Sequence, residues 1–430
     1  MNKSIALKLF IIFLEKNNIK YGILGKICGS GDVDIIVSQP VYKRITGYLK
    51  AFCALNQFAL VQKIEHENTA CFFVIAYFDE SEQVYFFLQL DFCYDYLRYG
   101  RMYLSGEELL NNLQYKAPDG VWQLNEKYQF IYYLIKKIGK DDFTKKHYEY
   151  LRNQWLKARN EIIDLLNDFF SKKLSKDIAH YFDEDNFDSL RKQFPILRND
   201  LKNSHQITLK NRLREGYRII KRLKNKTGLF VAILGRDGTG KSTLISGLQL
   251  NLHPCFRGES VFHLYPGFLV KKGINSNEHA DHSTPHASRA RNTILSILKL
   301  EFYFIEYSLG YWFKLFAKKV SSQLILFDRY FIDILVDPAR YRHRGNKWLI
   351  WLIHTCTPKP DLWIILDAAT DVVFARKKEV TYNESERQRL EYLDLAKRLK
   401  NANIVDASAS PNAILNDTCR YILNIMSKKL

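Results

Sequence analysis

Residues 235–242 carry the spacing Gly-x-x-x-x-Gly-Lys-Ser, the pattern of a loop that binds phosphate groups. Glycines at such positions let backbone N–H groups curl around phosphate oxygens without a clashing Cβ atom. The Lys241 ammonium can reach the β- and γ-phosphates of a nucleoside triphosphate, and the Ser242 hydroxyl can bind Mg²⁺. We therefore expect ATP and Mg²⁺ at this loop. The predicted nucleotide-binding residues are Gly235, Asp237, Gly238, Thr239, Gly240, Lys241, Ser242 and Thr243.

Such a loop needs a strand before it and a helix after it, and the sequence supplies both. Residues 229–234 form an uninterrupted apolar run, as expected of a strand that is buried on both faces of a sheet. Residues 243–250 have helical spacing, so the helix N-terminus would add its partial positive charge to the phosphate site. The pattern predicts an α/β fold with a parallel sheet flanked by helices over residues 228–430.

Further segments follow the loop in the order found in thymidylate kinases, which this half of the chain resembles. The loop itself contains an acidic residue, Asp237, and a buried strand ends in Asp328-Arg329-Tyr330, similar to the family's Asp-Arg-Tyr motif. Residues 359–367 contain Pro-Asp-Leu and are similar to another strand of the family, and residues 403–406 are similar to its closing strand. The resemblance covers nearly all of residues 228–430.

The same resemblance implies a catalytic set. Asp328 would hold Mg²⁺ together with Ser242, or accept a proton from the acceptor, because ligands of parallel sheets bind at the carboxyl ends of strands. Arg329 would clamp the acceptor or the transferred group. Residues 376–387, with a helix over 389–399, are similar to the family's mobile lid, whose cations close over the phosphates. The implied catalytic residues are Lys241, Asp328, Arg329, Arg376 and Arg387.

The acceptor half of the pattern departs from thymidylate kinases. Residues 262–267 lack the arginine with which the family grips the nucleotide phosphate. Arg289 and Arg291 stand where the family has an Ala-Asp-Arg acceptor motif, and the aromatic run over 300–316 that follows fits either core packing or a homodimer helix. Asp337 precedes a proline and fits a helix cap, so Asp333 is the freer of the two carboxylates to bind an acceptor hydroxyl. We therefore expect an acceptor other than dTMP.

The N-terminal part contains a second carboxylate pattern. Asp32 and Asp34 share one side of a predicted strand, where two carboxylates can hold Mg²⁺, and Asp91 on a later strand supplies a third. Together with a glycine turn at Gly25-Lys26 or Gly29-Ser30, these residues resemble the nucleotidyltransferase fold. The turn lies closer to the carboxylates than the family's Gly-Ser signature. A catalytic domain and a binding or vestigial one therefore both remain open.

Bulk properties predict three regions. They are a nucleotidyltransferase-like α+β domain over residues 1–120, a helical connector over 121–227 and the thymidylate kinase-like domain over 228–430. Three β-rich runs lie within the first region, whereas residues 105–226 show helical spacing and no strand signal. The helix predicted over 209–226 is strongly basic, which fits either an anionic surface or a solvated linker. The scattered cysteines and the lack of a long apolar run predict a cytoplasmic protein.

These patterns lead to one main hypothesis and two alternatives. The main hypothesis is an ATP-dependent phosphotransferase. A chain that joins these two halves resembles bacterial proteins associated with surface-polysaccharide genes, which implies a sugar or glycan acceptor. The first alternative is a genuine dTMP kinase. The second is an ATP-binding switch with an anionic partner, since the net charge of +18 favours a membrane surface or nucleic acid, the latter less strongly.

Overall fold

The computed structural model describes residues 3–25, 31–117, 120–269 and 292–430. The chain divides into two compact units, Met1–Asp79 with Phe86–Lys224, and Glu80–Tyr85 with Asn225–Leu430. The alternative glycine turn at Gly29-Ser30, together with Lys26, Arg289 and Arg291, lies outside the described residues. The three-region division predicted from the sequence remains a prediction.

The first unit contains a mixed sheet in the strand order β3-β4-β5-β2-β1-β9-β8. Strand β2 is parallel to β5 and antiparallel to β1, so two strands distant in sequence lie side by side. A separate hairpin is formed by β6 and β7. The strands are Tyr21–Ile23 (β1), Val33–Val37 (β2), Ala59–Glu67 (β3), Ala70–Asp79 (β4), Val84–Cys93 (β5), Tyr96–Arg98 (β6), Arg101–Leu104 (β7), Leu113–Lys116 (β8) and Val121–Leu124 (β9).

Eight helices are described in this unit. Helix α4 is central because its apolar face, including Phe130 and Ile131, packs with Trp155 and Phe182 from the two following helices. The helices are Lys3–Lys16 (α1), Gln39–Asn56 (α2), Gly106–Asn111 (α3), Glu126–Lys140 (α4), Lys145–Phe169 (α5), Lys172–Asp183 (α6), Phe187–Ser204 (α7) and Leu209–Lys224 (α8).

The expectation that residues 105–226 contain no strand is wrong. Strands β8 and β9 pair with each other, and β9 extends the sheet beside β1. Each has only four residues, too few for alternation to be distinguished from helical spacing. The predicted helical connector therefore begins with a strand, and its first long helix starts at Glu126.

Helix α8 is attached to its unit by polar residues. The Glu215 carboxylate accepts a hydrogen bond from the Asn68 backbone N–H (2.9 Å), and Arg218 and Lys221 contact Glu65. None of its residues is buried. Surface helices normally turn their apolar stripe toward the core. Helix α8 does the reverse, because its polar face contacts the unit and its apolar side chains are exposed.

The second unit contains a parallel sheet in the order β11-β12-β10-β13-β14, as predicted for this part of the chain. Strand β10 is central and fully buried, which explains its uninterrupted apolar sequence. The strands are Leu229–Gly235 (β10), Glu259–His263 (β11), Leu324–Asp328 (β12), Leu362–Asp367 (β13) and Ala402–Asp406 (β14).

Helices follow most of these strands, as a parallel sheet requires. They are Lys241–Leu252 (α9), Thr293–Gly310 (α10), Phe316–Val320 (α11), Lys347–Cys356 (α12), Thr370–Arg376 (α13), Tyr382–Arg398 (α14) and Pro411–Lys428 (α15). Short 3₁₀ segments span His253–Cys255 and Phe331–Leu335, and a π-helical turn spans Tyr311–Leu315. No helix in the described part of the chain combines the length and apolar character needed to cross a bilayer.

Candidate functional site

The loop between β10 and α9 has the backbone conformation that its glycines predict. Gly235, Gly238 and Gly240 have φ values of 148°, 84° and 89°, which side-chain-bearing residues rarely adopt. A Cβ atom on Gly235 would lie 2.9 Å from the Leu366 carbonyl oxygen, on the neighbouring strand. The predicted pattern thus reflects both local conformation and close packing against β13.

Lys241 begins helix α9 and lies inside the loop. Its ammonium donates hydrogen bonds to the carbonyl oxygens of Gly235 and Arg236, both at 2.9 Å. Burial, assisted by the nearby Arg329 charge, lowers the pKa of Lys241 to about 8. Ser242 and Thr243, the next two residues, are exposed. The loop therefore presents one buried cation and accessible hydroxyl groups.

Asp328 ends strand β12 and is paired in register with Ile233 of the loop strand. One carboxylate oxygen, Oδ2, lies 3.3 Å from the His263 Nδ1 atom. The other, Oδ1, is buried and has no hydrogen-bond partner among the described residues. Burial opposes ionisation, but His263 and Lys241 together lower the pKa of Asp328. A buried, ionised oxygen without a donor suits a magnesium ion or one of its waters.

Arg329, which follows Asp328, lies between two carboxylates. Its guanidinium contacts Asp237 of the loop and Asp333, each at 2.6 Å, and its side chain is only 4% exposed. Asp333 is fully buried and also accepts hydrogen bonds from Tyr341 and Tyr392. The expectation that Asp333 is free to bind an acceptor hydroxyl is therefore wrong. Its oxygens are occupied by Arg329 and by the two phenols.

Sequence reasoning missed Arg340, which joins three carboxylates at the same place. It contacts Asp237, Asp337 at 3.2 Å and Glu379 at 3.0 Å. Burial alone would raise the pKa of Asp237, but the Arg329 and Arg340 charges hold it well below its usual value. The sequence contained one signal of this pairing. Asp337 and Arg340 stand three residues apart, just after the Asp-Arg-Tyr segment, which is a spacing at which an acidic and a basic side chain can pair.

Arg236 is a second missed residue. It occupies a variable position of the loop pattern, yet it is buried. Its guanidinium donates to the Thr370 hydroxyl (2.8 Å), the Ser385 hydroxyl (3.0 Å) and the Ala368 carbonyl. The loop is thereby joined to α13 and α14, which border residues 377–381 of the predicted lid. Its partners lie more than 130 residues away, so no local signal could have identified it.

The two predicted lid arginines have contacts away from the loop. Arg376 donates to the Ala407 carbonyl oxygen at 3.0 Å, and Arg387 contacts Glu384 and the Val336 carbonyl oxygen. Helix α14 begins at Tyr382, seven residues before the predicted start of the lid helix. The lid segment itself does contact the loop, because a Cβ atom on Gly238 would lie 3.2 Å from the Lys377 Cβ atom. The catalytic roles of Arg376 and Arg387 remain predictions.

The N-terminal carboxylates converge although they are distant in sequence. Asp34 and Asp91 are direct neighbours on the parallel strands β2 and β5. Each residue of the set Asp32, Asp34 and Asp91 offers an oxygen within 4.8 Å of the others. Lys136 from α4 donates to Asp34, and His66 lies 2.7 Å from Asp91. We call this set the carboxylate triad.

The electrostatics of the triad differ between its members. Burial, with the charges of Asp32 and Asp91, raises the pKa of Asp34 despite the Lys136 ammonium. Burial acts in the same direction on Asp91, but His66 and Lys136 outweigh it and lower the pKa. Three carboxylate oxygens around one point form the kind of ligand set that Mg²⁺ or Mn²⁺ prefers.

Comparison with known proteins gives partial matches. No family model matches the chain. A protein described as "Probable thymidylate kinase 1", from Saccharolobus solfataricus, is 30% identical over 112 residues, which are 25% of this chain and 58% of that protein's length. Thymidylate kinase from Ehrlichia chaffeensis, a solved structure, gives a TM-score of 0.32 with 14% identity, covering 45% of this chain and 97% of that one. The sequence match shows that part of the chain is similar to a protein described as a thymidylate kinase, of whose length the chain spans little more than half.

Proposed function

We propose that the second unit transfers the γ-phosphoryl group of ATP, with Mg²⁺ bound, to an acceptor other than dTMP. The observation that carries the proposal is the arrangement of the loop and Asp328. The buried Lys241 ammonium lies within the glycine loop, and the neighbouring strand ends in a carboxylate with an unpaired oxygen. Phosphoryl transfer depends mainly on positioned cations and metal ions around the phosphates, which these groups would supply.

The acceptor is proposed to be a hydroxyl of a sugar or glycan. Two arginines follow strand β12, and both are already paired. Arg329 contacts two carboxylates and Arg340 contacts three. Neither is therefore an open clamp for the dianionic phosphate of dTMP. The partly exposed carboxylates of Asp237 and Glu379 can instead accept hydrogen bonds from neutral hydroxyl groups.

A transfer assay with γ-³²P-labelled ATP tests this proposal. Nucleoside monophosphates, free sugars and envelope glycans serve as acceptors in parallel. We expect label on a sugar or glycan and none on dTMP. Phosphorylation of dTMP at ordinary turnover would instead identify a dTMP kinase. Hydrolysis of ATP with no labelled acceptor would favour the switch alternative.

For the first unit we propose a second activity, metal-dependent nucleotidyl transfer. The support is the convergence of Asp32, Asp34 and Asp91. Their residue types and positions in the sequence had predicted that the three carboxylates form one set. In such a reaction the metal would hold the triphosphate and the acceptor hydroxyl close together. Lys136 donates to Asp34 and would compete with a metal ion for that carboxylate.

Mn²⁺ binding, followed by electron paramagnetic resonance without nucleotide, tests the carboxylate triad. We expect the Asp34→Asn substitution to abolish this binding, since it removes one of three anionic ligands. Lys136→Met should strengthen it by removing the competing ammonium. Every protein in the comparison carries Asp328→Asn, which removes the candidate metal ligand of the other unit. Asp164→Asn, at an exposed position of helix α5, is the control and should leave the signal unchanged. Retention of the Mn²⁺ signal in the Asp34→Asn protein would contradict the proposal.

We further propose that helix α8 binds an anionic membrane surface. Its apolar side chains Leu209, Leu213 and Ile220 recur on one face and are 72%, 66% and 65% exposed. That face is opposite to the polar face that contacts Asn68 and Glu65. Basic residues of the helix flank the apolar stripe, which is the arrangement of helices that lie in a lipid interface. The flanking residues are Lys210, Arg212 and Lys224.

Vesicle sedimentation tests this surface. We expect binding to vesicles of phosphatidylcholine with phosphatidylserine, and much weaker binding to phosphatidylcholine alone. Leu213→Glu should weaken binding by at least about tenfold, because one buried leucine contributes about 1.5–3 kcal/mol. Leu55→Glu, at a comparably exposed site of the same unit, is the control. Equal sedimentation of both variants would contradict membrane binding through α8.

A further inference from the structure

A cavity of about 400 Å³ lies in the first unit, and none of the carboxylate triad residues lines it. It is formed by the β6–β7 hairpin, the C-terminal end of α4 and helix α7. This volume is within the range of sites that bind small molecules. Four cationic side chains and one carboxylate line it, which gives its wall an excess of positive charge. These residues are Arg98, Arg101, Arg198, Lys202 and Asp141.

Two of the cavity arginines, Arg98 and Arg198, use only part of their hydrogen-bonding capacity in contacts with protein groups. Arg98 donates one hydrogen bond to the Gly139 carbonyl oxygen (3.3 Å), and Arg198 donates one to the Ile138 carbonyl oxygen (3.0 Å) and pairs with Asp141. Each guanidinium has five N–H donors. Among the described residues, the buried Nε atom of Arg98 has no hydrogen-bond partner. Donors are therefore left over for an anionic ligand.

Gly139 makes room for Arg98. A Cβ atom on Gly139 would lie 2.6 Å from the Arg98 Nε atom and 2.7 Å from its Cδ atom. Glycine is a poorer helix former than alanine, so this position near the end of α4 gives up some helix stability. In return, the backbone of α4 at Gly139 leaves space for the Arg98 side chain, which lines the cavity.

The remaining wall and the neighbourhood of the cavity indicate the kind of ligand. Tyr103, Ile135 and Ile138 provide an apolar side that suits a ring or carbon skeleton. Lys136, which donates to Asp34 of the carboxylate triad, precedes Gly139 by three residues on α4. One helical turn spans about 5.4 Å, so the cavity lies close to the triad.

We propose that this cavity binds a phosphate-bearing small molecule. Its phosphate group contacts Arg98, Arg101 and Arg198, and its uncharged part packs against Tyr103 and the two isoleucines. The proposal deepens the nucleotidyl-transfer function of the first unit, for which the cavity would hold an anionic substrate beside the triad. Binding to the cavity requires neither the triad's metal nor the glycine loop, so it can be measured separately.

Isothermal titration with inorganic pyrophosphate tests the proposal on the full chain carrying Lys241→Ala, which disables the other phosphate site. We expect one equivalent to bind, with an affinity that falls as salt rises. Arg98→Ala should weaken binding at least about tenfold, because it removes a charge-assisted hydrogen-bonding partner of the phosphate. Gly139→Ala should weaken it similarly without altering any charge, because its methyl group displaces Arg98.

Two matched controls accompany these variants. Gly47→Ala, in helix α2, meets no atom within 4 Å, and Arg191→Ala changes an exposed arginine on α7. Both should bind pyrophosphate like the parent. The absence of binding in the parent, or binding by the Arg98→Ala and Gly139→Ala proteins with the affinity of the parent, would overturn the proposal. Pyrophosphate binding without Mn²⁺ binding would support the proposal for the cavity and contradict the proposal of nucleotidyl transfer.

Discussion

Replacing Lys241 with alanine is expected to lower phosphoryl transfer from ATP by about 10³-fold, the scale of losing one group that stabilises transition-state charge. The ammonium lies inside the loop, bonded to the Gly235 and Arg236 carbonyl oxygens, and would turn to the β- and γ-phosphates when ATP binds. The other cation of the loop pattern, Arg236, donates its hydrogen bonds to Thr370 and Ser385 and so cannot replace it there. The rate of ³²P transfer at saturating ATP measures the effect.

The variant should remain folded. Burial lowers the pKa of Lys241 to about 8, below its value in an unfolded chain, so the folded state disfavours the charged form. At pH 7 the ammonium therefore does not stabilise the fold, and removing it relieves this penalty. Lys400→Ala, at an exposed position of the same unit, should transfer phosphate at the parent rate. Transfer by Lys241→Ala at a comparable rate would place the reaction elsewhere.

Replacing Asp333 with alanine is expected to destabilise the second unit by about 3–5 kcal/mol. The substitution leaves the buried Arg329 guanidinium with Asp237 as its only carboxylate, and it removes the acceptor of two buried phenols, Tyr341 and Tyr392. Breaking a buried network of ion pairs and hydrogen bonds is among the few changes that destabilise a protein this strongly. Denaturant unfolding, followed by a probe in this unit, measures the loss.

The chain provides a close control for this prediction. Asp394 and Arg398 have the same four-residue separation and a 2.7 Å contact, but their side chains are 51% and 57% exposed. Asp394→Ala should therefore cost no more than about 1 kcal/mol. The double substitution Arg329→Met with Asp333→Leu should recover much of the stability, since no buried charge is left unpaired, but not the activity. Equal losses for Asp333→Ala and Asp394→Ala would refute the buried-pair argument.

Local sequence was sufficient where chemistry and backbone conformation are local. The pattern over residues 235–242 predicted a strand, a glycine turn and a helix, and all three occur at those positions. The buried strand before Asp328 was likewise predicted from its apolar run. The four-residue strands β8 and β9 were missed because such short segments carry no distinguishable period.

The partners of each charged side chain could not be obtained in this way. Arg236 and Arg340 have ordinary sequence contexts, and their importance depends on contacts with residues such as Ser385 and Glu379. Asp333 was predicted to be available to a ligand because the sequence does not show that the phenol of Tyr392, 59 residues later, donates a hydrogen bond to its carboxylate. Similarly, the cavity's charge results from Arg98 and Arg198, which come from separate elements.

The sequence by itself determined where the strand, the glycine loop and the following helix form, because glycine spacing and strand hydrophobicity act over a short stretch of backbone. It also determined which carboxylates are available in the first unit. Only the tertiary structure decided that Asp34 faces Asp91 across two parallel strands, that Asp333 is occupied by an arginine, and that α8 turns its apolar side outward. These outcomes depend on strand register and on packing between distant segments, where the free energy of burying a charge or an apolar face is set by neighbours that local sequence does not specify.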